Sequence, residues 1–110
     1  MMAGALMTLA PGALREMHWH PNANEWGYVL KGTVRITLFA ADAGSSTQKV
    51  KAGGVFYIPM GCGHYLENVG KDEAEMLLVF DNGVYEEISI SEWIADTPID
   101  VAATVFGVPE

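Results

Sequence analysis

Between residues 5 and 80 the chain is a succession of strand-length, apolar-rich runs closed by Gly, Pro, Asn or Asp punctuation. They fall at residues 5–9, 14–20, 25–30, 34–40, 47–51, 55–58, 64–69 and 75–80. Within VRITLFA, Val34, Ile36 and Leu38 share one face and Arg35 and Thr37 the other, the period of a half-buried strand. EMLLVF is apolar on both faces, as a buried strand is. Short strands at this spacing, with turn chemistry between them, predict an antiparallel sandwich or barrel, hence an all-β fold. The twelve glycines and five prolines, spread along the chain, supply the turns. After residue 90 the pattern changes. Ser91 is a cap for a short turn through Trp93, and TPIDVAATVFG offers Thr97 as N-cap, Pro98 as first helical residue and Gly107 as stop, so residues 91–107 are expected to form a short helical tail on the outside.

At 110 residues the chain is expected to be a single domain, residues 1–110, with half of its residues hydrophobic and so enough apolar material for a core. A formal charge of -8, with six scattered basic residues, argues against nucleic acid and against an anionic membrane surface. No run approaches the roughly 18 apolar residues that a membrane helix needs. The opening MMAGALMTLAPG has no basic n-region and makes a poor signal peptide. Cys62 is the only cysteine, which rules out an internal disulfide and suits a reducing compartment. The expectation is a cytoplasmic protein.

All three histidines stand beside strand ends. His18 and His20 are one residue apart in MHWHPNANE, so on a strand both imidazoles project from one face, and Glu25 follows five residues later. His64 opens a strand after the Pro-Gly turn of PMGCGH. Three neutral imidazoles and a carboxylate suit a divalent first-row ion, Mn, Fe, Co, Ni or Zn, and leave two coordination positions open. A structural zinc site is normally closed and rich in cysteine, and one cysteine cannot make it. Open positions imply a ligand or substrate on the metal.

GALREMHWHPNANEWGYVLKG, residues 12–32, fits at every position a first cupin motif, G-x5-H-x-H-x(3,4)-E-x6-G. GGVFYIPMGCGHYLEN, residues 53–68, fits the second, G-x5-P-x-G-x2-H-x3-N. The wording of LREMHWHPNANEW, GHYLEN and VYEEISISEWIADTP resembles the oxalate decarboxylase family of bicupins, its C-terminal cupin in particular, over nearly the whole chain. The resemblance implies a single cupin jelly-roll barrel with short C-terminal helices, holding Mn(II) through His18, His20, Glu25 and His64. It further implies a small carboxylate substrate, oxalate, bound at the metal and gripped by Arg15, with dioxygen as co-substrate. Products would be formate and CO2, or CO2 and hydrogen peroxide in an oxidase branch. Simple alternation places Arg15 on the face opposite His18, so the implied role requires a bulge.

Two departures qualify the resemblance. Leu78 stands where the family's C-terminal cupin carries a glutamate. The family's lid, with its proton-transfer glutamate, reads SENS; the corresponding segment here is EEIS, whose neighbours do not match it, with Glu87 ahead of Glu86 for the role and Tyr85 at the rim beside the substrate. The family also joins two cupins in one chain and has strands before the first motif. A lone barrel of this length is therefore expected to be a homodimer, with residues 2–9 crossing to the partner. Three functional classes follow: Mn-dependent oxalate chemistry, a metal-holding module that binds or senses a small carboxylate or sugar acid, and another single-cupin dioxygenase or isomerase. Trp19, Trp26, Trp93, Cys62 and the methionines read as packing residues.

Overall fold

The structure is a computed structural model and describes residues 1–42 and 44–110. Among the described residues nine strands run in the order β1 (Ala3–Leu9), β2 (Leu14–Trp19), β3 (Glu25–Lys31), β4 (Thr33–Phe39), β5 (Ser45–Lys51), β6 (Val55–Ile58), β7 (His64–Asn68), β8 (Ala74–Phe80) and β9 (Ile88–Ser89). Helices α1 (Ile90–Ala95) and α2 (Ile99–Phe106) follow. A four-stranded sheet, β1-β8-β3-β6, faces a five-stranded sheet, β5-β4-β7-β2-β9, and every pairing is antiparallel. The expected all-β jelly roll with short C-terminal helices is what forms.

Alternation sorts the strands as their sequences dictate. Glu25, Gly27 and Val29 of β3 and Ala74, Met76, Leu78 and Phe80 of β8 point inward; Val34 and Ile36 of β4 and Leu66 of β7 meet them from the other sheet. β5 shows all but Val50 to solvent, as its polar sequence requires. Gly27 is one glycine whose missing side chain matters. A Cβ there would lie 1.9 Å from the Phe56 ring, so the ring covers the glycine and fills the layer beneath the histidines. Asn68, the last residue of the second motif, is buried and structural. Its amide donates to the Leu9 and Asp72 carbonyls at 3.0 and 2.8 Å and its oxygen accepts from Gly70 N at 2.9 Å, closing the ends of β1 and β7.

Three expectations need correction. Thr97 does not cap α2, because its hydroxyl donates to the Trp93 carbonyl at 2.6 Å; Pro98 is the N-cap instead, and the helix begins one residue later. Ser91 does not cap α1, whose N-cap is Ser89; the Ser91 hydroxyl donates to Glu16 Oε1 at 2.6 Å. Residues 2–9 do not cross to a partner within this fold, since β1 pairs along its whole length with β8 of the same chain. Gly107 does end α2, in the left-handed conformation at φ 65°. The short strand β9, hidden in the EEIS segment, carried no sequence signal and forms because it completes the edge of β2.

Candidate metal centre

Both sheets contribute to one cluster. The end of β2 carries His18 and leads into His20, β3 begins with Glu25, and β7 begins with His64, so three strand ends meet at one mouth of the sandwich. One donor atom from each of the four residues lies within 4.8 Å of all the others, and all four side chains are buried. The turn between β2 and β3 is held by asparagines that the sequence reading passed over as turn residues. Asn24 donates through its backbone and side-chain nitrogens to Asp81 at 2.7 and 2.8 Å, and its oxygen accepts from Tyr57 and Met60 at 3.0 and 2.7 Å. Asn22 accepts from Glu86 N at 2.7 Å and donates to the Val84 carbonyl at 3.1 Å, tying the segment before β9 to the pocket. The only sequence signal for these bonds was the PNAN wording itself.

Each imidazole is oriented by a backbone carbonyl. Nδ1 of His18 faces the Glu16 carbonyl at 2.6 Å, Nδ1 of His20 that of Glu86 at 2.9 Å, and Nδ1 of His64 that of Cys62 at 2.9 Å. A carbonyl can only accept, so Nδ1 carries the proton and every Nε2 presents a lone pair to the cluster. His20 Nε2 lies 3.0 Å and His64 Nε2 3.5 Å from Glu25 Oε1. Lone pairs facing a carboxylate at that range repel unless a positive charge sits among them. Glu25 Oε1 and His64 Nε2 are fully buried and have no hydrogen-bond partner. A divalent ion satisfies both orphaned atoms, so the donor set fits one.

Burial, then the neighbouring His64, pushes His18 down to a pKa of about 4. His18 is therefore neutral and ready to ligate at any pH above about 4. Its folded pKa lies below its unfolded value of 6.5, so the unfolded chain binds more protons between those limits. Metal-free protein is expected to lose stability as pH falls from about 6.5 to about 4, by on the order of 3 kcal/mol from this group. Thermal melts across that range check it; a flat profile refutes the depression.

Arg15 reaches the same pocket. Arg15 pairs with Leu66 and His18 with His64, so two residues of β2, Glu16 and Met17, oppose the single Tyr65 of β7. That extra residue is the bulge the implied role requires, and it turns Arg15 onto the face of His18. The guanidinium is ion-paired with Glu87, whose Oε1 also lies 3.7 Å from His18 Nε2. Glu86 is exposed; its backbone, rather than its carboxylate, serves the site by orienting His20. Tyr85 stacks on Phe80 with centroids 3.9 Å apart and meets His20 edge-on at 5.7 Å. Leu78 and Leu66 close the inner end of a pocket of about 390 Å³ that also holds Arg15, His18, His20 and Glu25.

Comparison with known proteins agrees with this geometry. The sequence profile of the family described as Cupin matches residues 1–110. The chain is 43% identical over 97 residues to oxalate decarboxylase OxdC of Bacillus subtilis, covering 88% of this chain and 25% of that protein. It is 41% identical over 109 residues to an oxalate decarboxylase of Arthroderma benhamiae, covering 98% of this chain and 26% of that one. An oxalate oxidase of Triticum aestivum, GF-3.8, is 40% identical over 76 residues, covering 66% of this chain and 34% of that protein. Among solved structures, Bacillus subtilis oxalate decarboxylase at pH 4.6 superposes with a TM-score of 0.95 at 38% identity, over 99% of this chain and 28% of that one. A structure with the same score concerns the Mn(II) centres of that enzyme. The chain thus spans about a quarter of the length of the oxalate decarboxylases it matches. With its two motifs, its facing antiparallel sheets and a profile match across residues 1–110, the chain belongs to the cupin family.

Proposed function

We propose that this cupin binds Mn(II) through His18, His20, Glu25 and His64 and acts on oxalate, releasing formate and CO2, with an oxidase branch to CO2 and hydrogen peroxide. The observation that carries this reading is the bulge in β2, which brings a cationic side chain, Arg15, into the pocket that His18, His20 and Glu25 line. Fe, Co, Ni and Zn suit the same donors; Mn(II) is preferred because a relative's structure concerns Mn(II) centres. When bound, the metal with dioxygen supplies one-electron oxidation of the substrate. Arg15 then grips a substrate carboxylate and holds it for reaction. Glu87, already beside His18 Nε2, is placed to hold and deliver the proton that completes formate. Tyr85 and Phe80 form an aromatic wall that keeps water from the reacting centre.

The test is formate release from oxalate under air with Mn(II) supplied, with peroxide measured alongside. Retained metal without formate or peroxide would leave the second reading, a module that binds or senses a small carboxylate. Leu78 favours that reading, because a leucine takes no part in proton transfer at a position that faces the pocket.

The same reading includes a homodimer. On the outer face of the four-stranded sheet, Leu6, Leu77, Tyr28 and Val55 stand in one row across four strands, each 42–68% exposed. Trp26 and Tyr57 extend the patch, and a second copy burying it around a twofold axis removes apolar surface from water. Light scattering at micromolar concentration is expected to give twice the monomer mass, and Leu77→Lys to halve it. A monodisperse monomer rejects the dimer. No helix is long and apolar enough to cross a membrane among the described residues, and Cys62 is a free thiol, which suits the cytoplasm.

A further inference from the structure

The pocket around the metal centre is polar at one end only. Toward the mouth lie the Arg15–Glu87 pair and three of the clustered residues, His18, His20 and Glu25, with Phe80 in the same row as Glu25; one row deeper Leu78, Leu66 and Ala5 form an apolar inner end. Leu78 lies between Ala5 of β1 and Gly27 of β3 in the sheet register, directly below the row that carries Glu25 and Phe80. The volume, about 390 Å³, is also generous. At the roughly 30 Å³ that a water molecule occupies in the liquid, the about six heavy atoms of oxalate fill less than half of it.

Charge points the same way. Arg15 is the only cationic side chain lining the pocket among the described residues, and its guanidinium is already paired with Glu87. With a divalent ion in place, Arg15, Glu25 and Glu87 leave a single net positive charge. A monoanion neutralises it, whereas a dianion either leaves excess negative charge in a buried site or must first displace Glu87 from Arg15.

We propose that the pocket, with the Arg15–Glu87 pair closed, takes a singly charged 2-oxo carboxylate bearing a short apolar arm, its oxygens at the metal centre and its arm against Leu78. The carboxylate and the adjacent oxo group are hard oxygen donors suited to the open positions of a divalent ion. The arm occupies the apolar inner end that oxalate leaves unused. This rests on the metal centre described under Proposed function, though not on turnover of oxalate.

The experiment titrates Mn(II)-loaded protein with glyoxylate, pyruvate and 2-oxobutanoate, and with oxalate in parallel, reading affinity by calorimetry and by the Mn(II) paramagnetic resonance line shape. Affinity is expected to rise about fourfold with each added methylene. Leu78→Glu is expected to abolish that rise, read as the ratio of pyruvate and 2-oxobutanoate affinity to glyoxylate affinity within the variant itself. A flat or falling series in wild type overturns the proposal, whether or not the variant folds. Formate release from oxalate, measured on the same sample, separates the two readings. A rising series without formate defeats the oxalate chemistry alone, formate with a flat series defeats this proposal alone, and a protein that retains no metal defeats both.

Discussion

His64→Ala is expected to abolish tight binding of a divalent ion while the β-sandwich stays folded. The imidazole opens β7 between His18 on β2 and Leu38 on β4, and its Nε2 is fully buried with no partner. Losing one of four ligands costs more than the 10–100-fold in affinity that follows from losing a group that merely orients a ligand, so a drop beyond about 100-fold is expected. The fold survives because its apolar core, built on Val29, Val34, Ile36, Leu66 and Met76, lies below the ligands and does not include them. The substitution also deletes an unsatisfied buried nitrogen, which offsets part of the cavity it leaves. Metal analysis after desalting, with far-ultraviolet circular dichroism on the same sample, reads both halves. Full occupancy in a folded variant would refute the ligand assignment.

Arg15→Ala and Glu87→Gln should divide the proposed oxalate chemistry between grip and proton transfer. Arg15 is the only cationic side chain lining the pocket among the described residues, so alanine there is expected to cut kcat/KM for oxalate by at least about 100-fold. Glu87→Gln works in two directions. It removes a competitor that occupies the guanidinium, so oxalate should bind more tightly and KM should fall. It also removes the carboxyl beside His18, so kcat should fall by about 10²–10⁴, the usual worth of a positioned acid or base. A joint fall in KM and kcat is the signature of a group that opposes ground-state binding yet serves the transition state. Unchanged kcat in Glu87→Gln would remove Glu87 from the chemistry and leave it only the closing of the pocket.

Most of the strands and the four residues of the buried His-His-Glu-His cluster were legible in the chain itself. Local rules sufficed there: period-two alternation, Gly and Pro punctuation, and two motifs whose spacing sets His18, His20, Glu25 and His64 at strand ends. Less was visible where a side chain had a choice of partners. Thr97 and Ser91 both read as helix caps, yet their hydroxyls found the Trp93 carbonyl and the Glu16 carboxylate, neither predictable from propensity. Glu86 and Glu87 are adjacent acids of similar local character, and only the family resemblance put Glu87 first. Their separation into an exposed residue whose backbone orients His20 and a carboxylate paired with Arg15 depends on where β9 meets β2.

By itself the sequence determined the strands and their inward and outward faces, because these depend on residues within a few positions of one another, and the kind of ion that three histidines and a carboxylate suit, because that depends on residue type. Only the tertiary structure decided which way Arg15 points, since alternation sent it outward and the two-for-one bulge opposite Tyr65 reversed it. Only the tertiary structure placed Leu78 and Leu66, from opposite sheets, at the inner end of the pocket that holds the ligands. Those placements depend on register between strands some 50 residues apart in the chain, where Leu66 meets Arg15 and Leu78 meets Gly27. Pairing across such distances is selected by the burial of whole sheet faces rather than by any local preference.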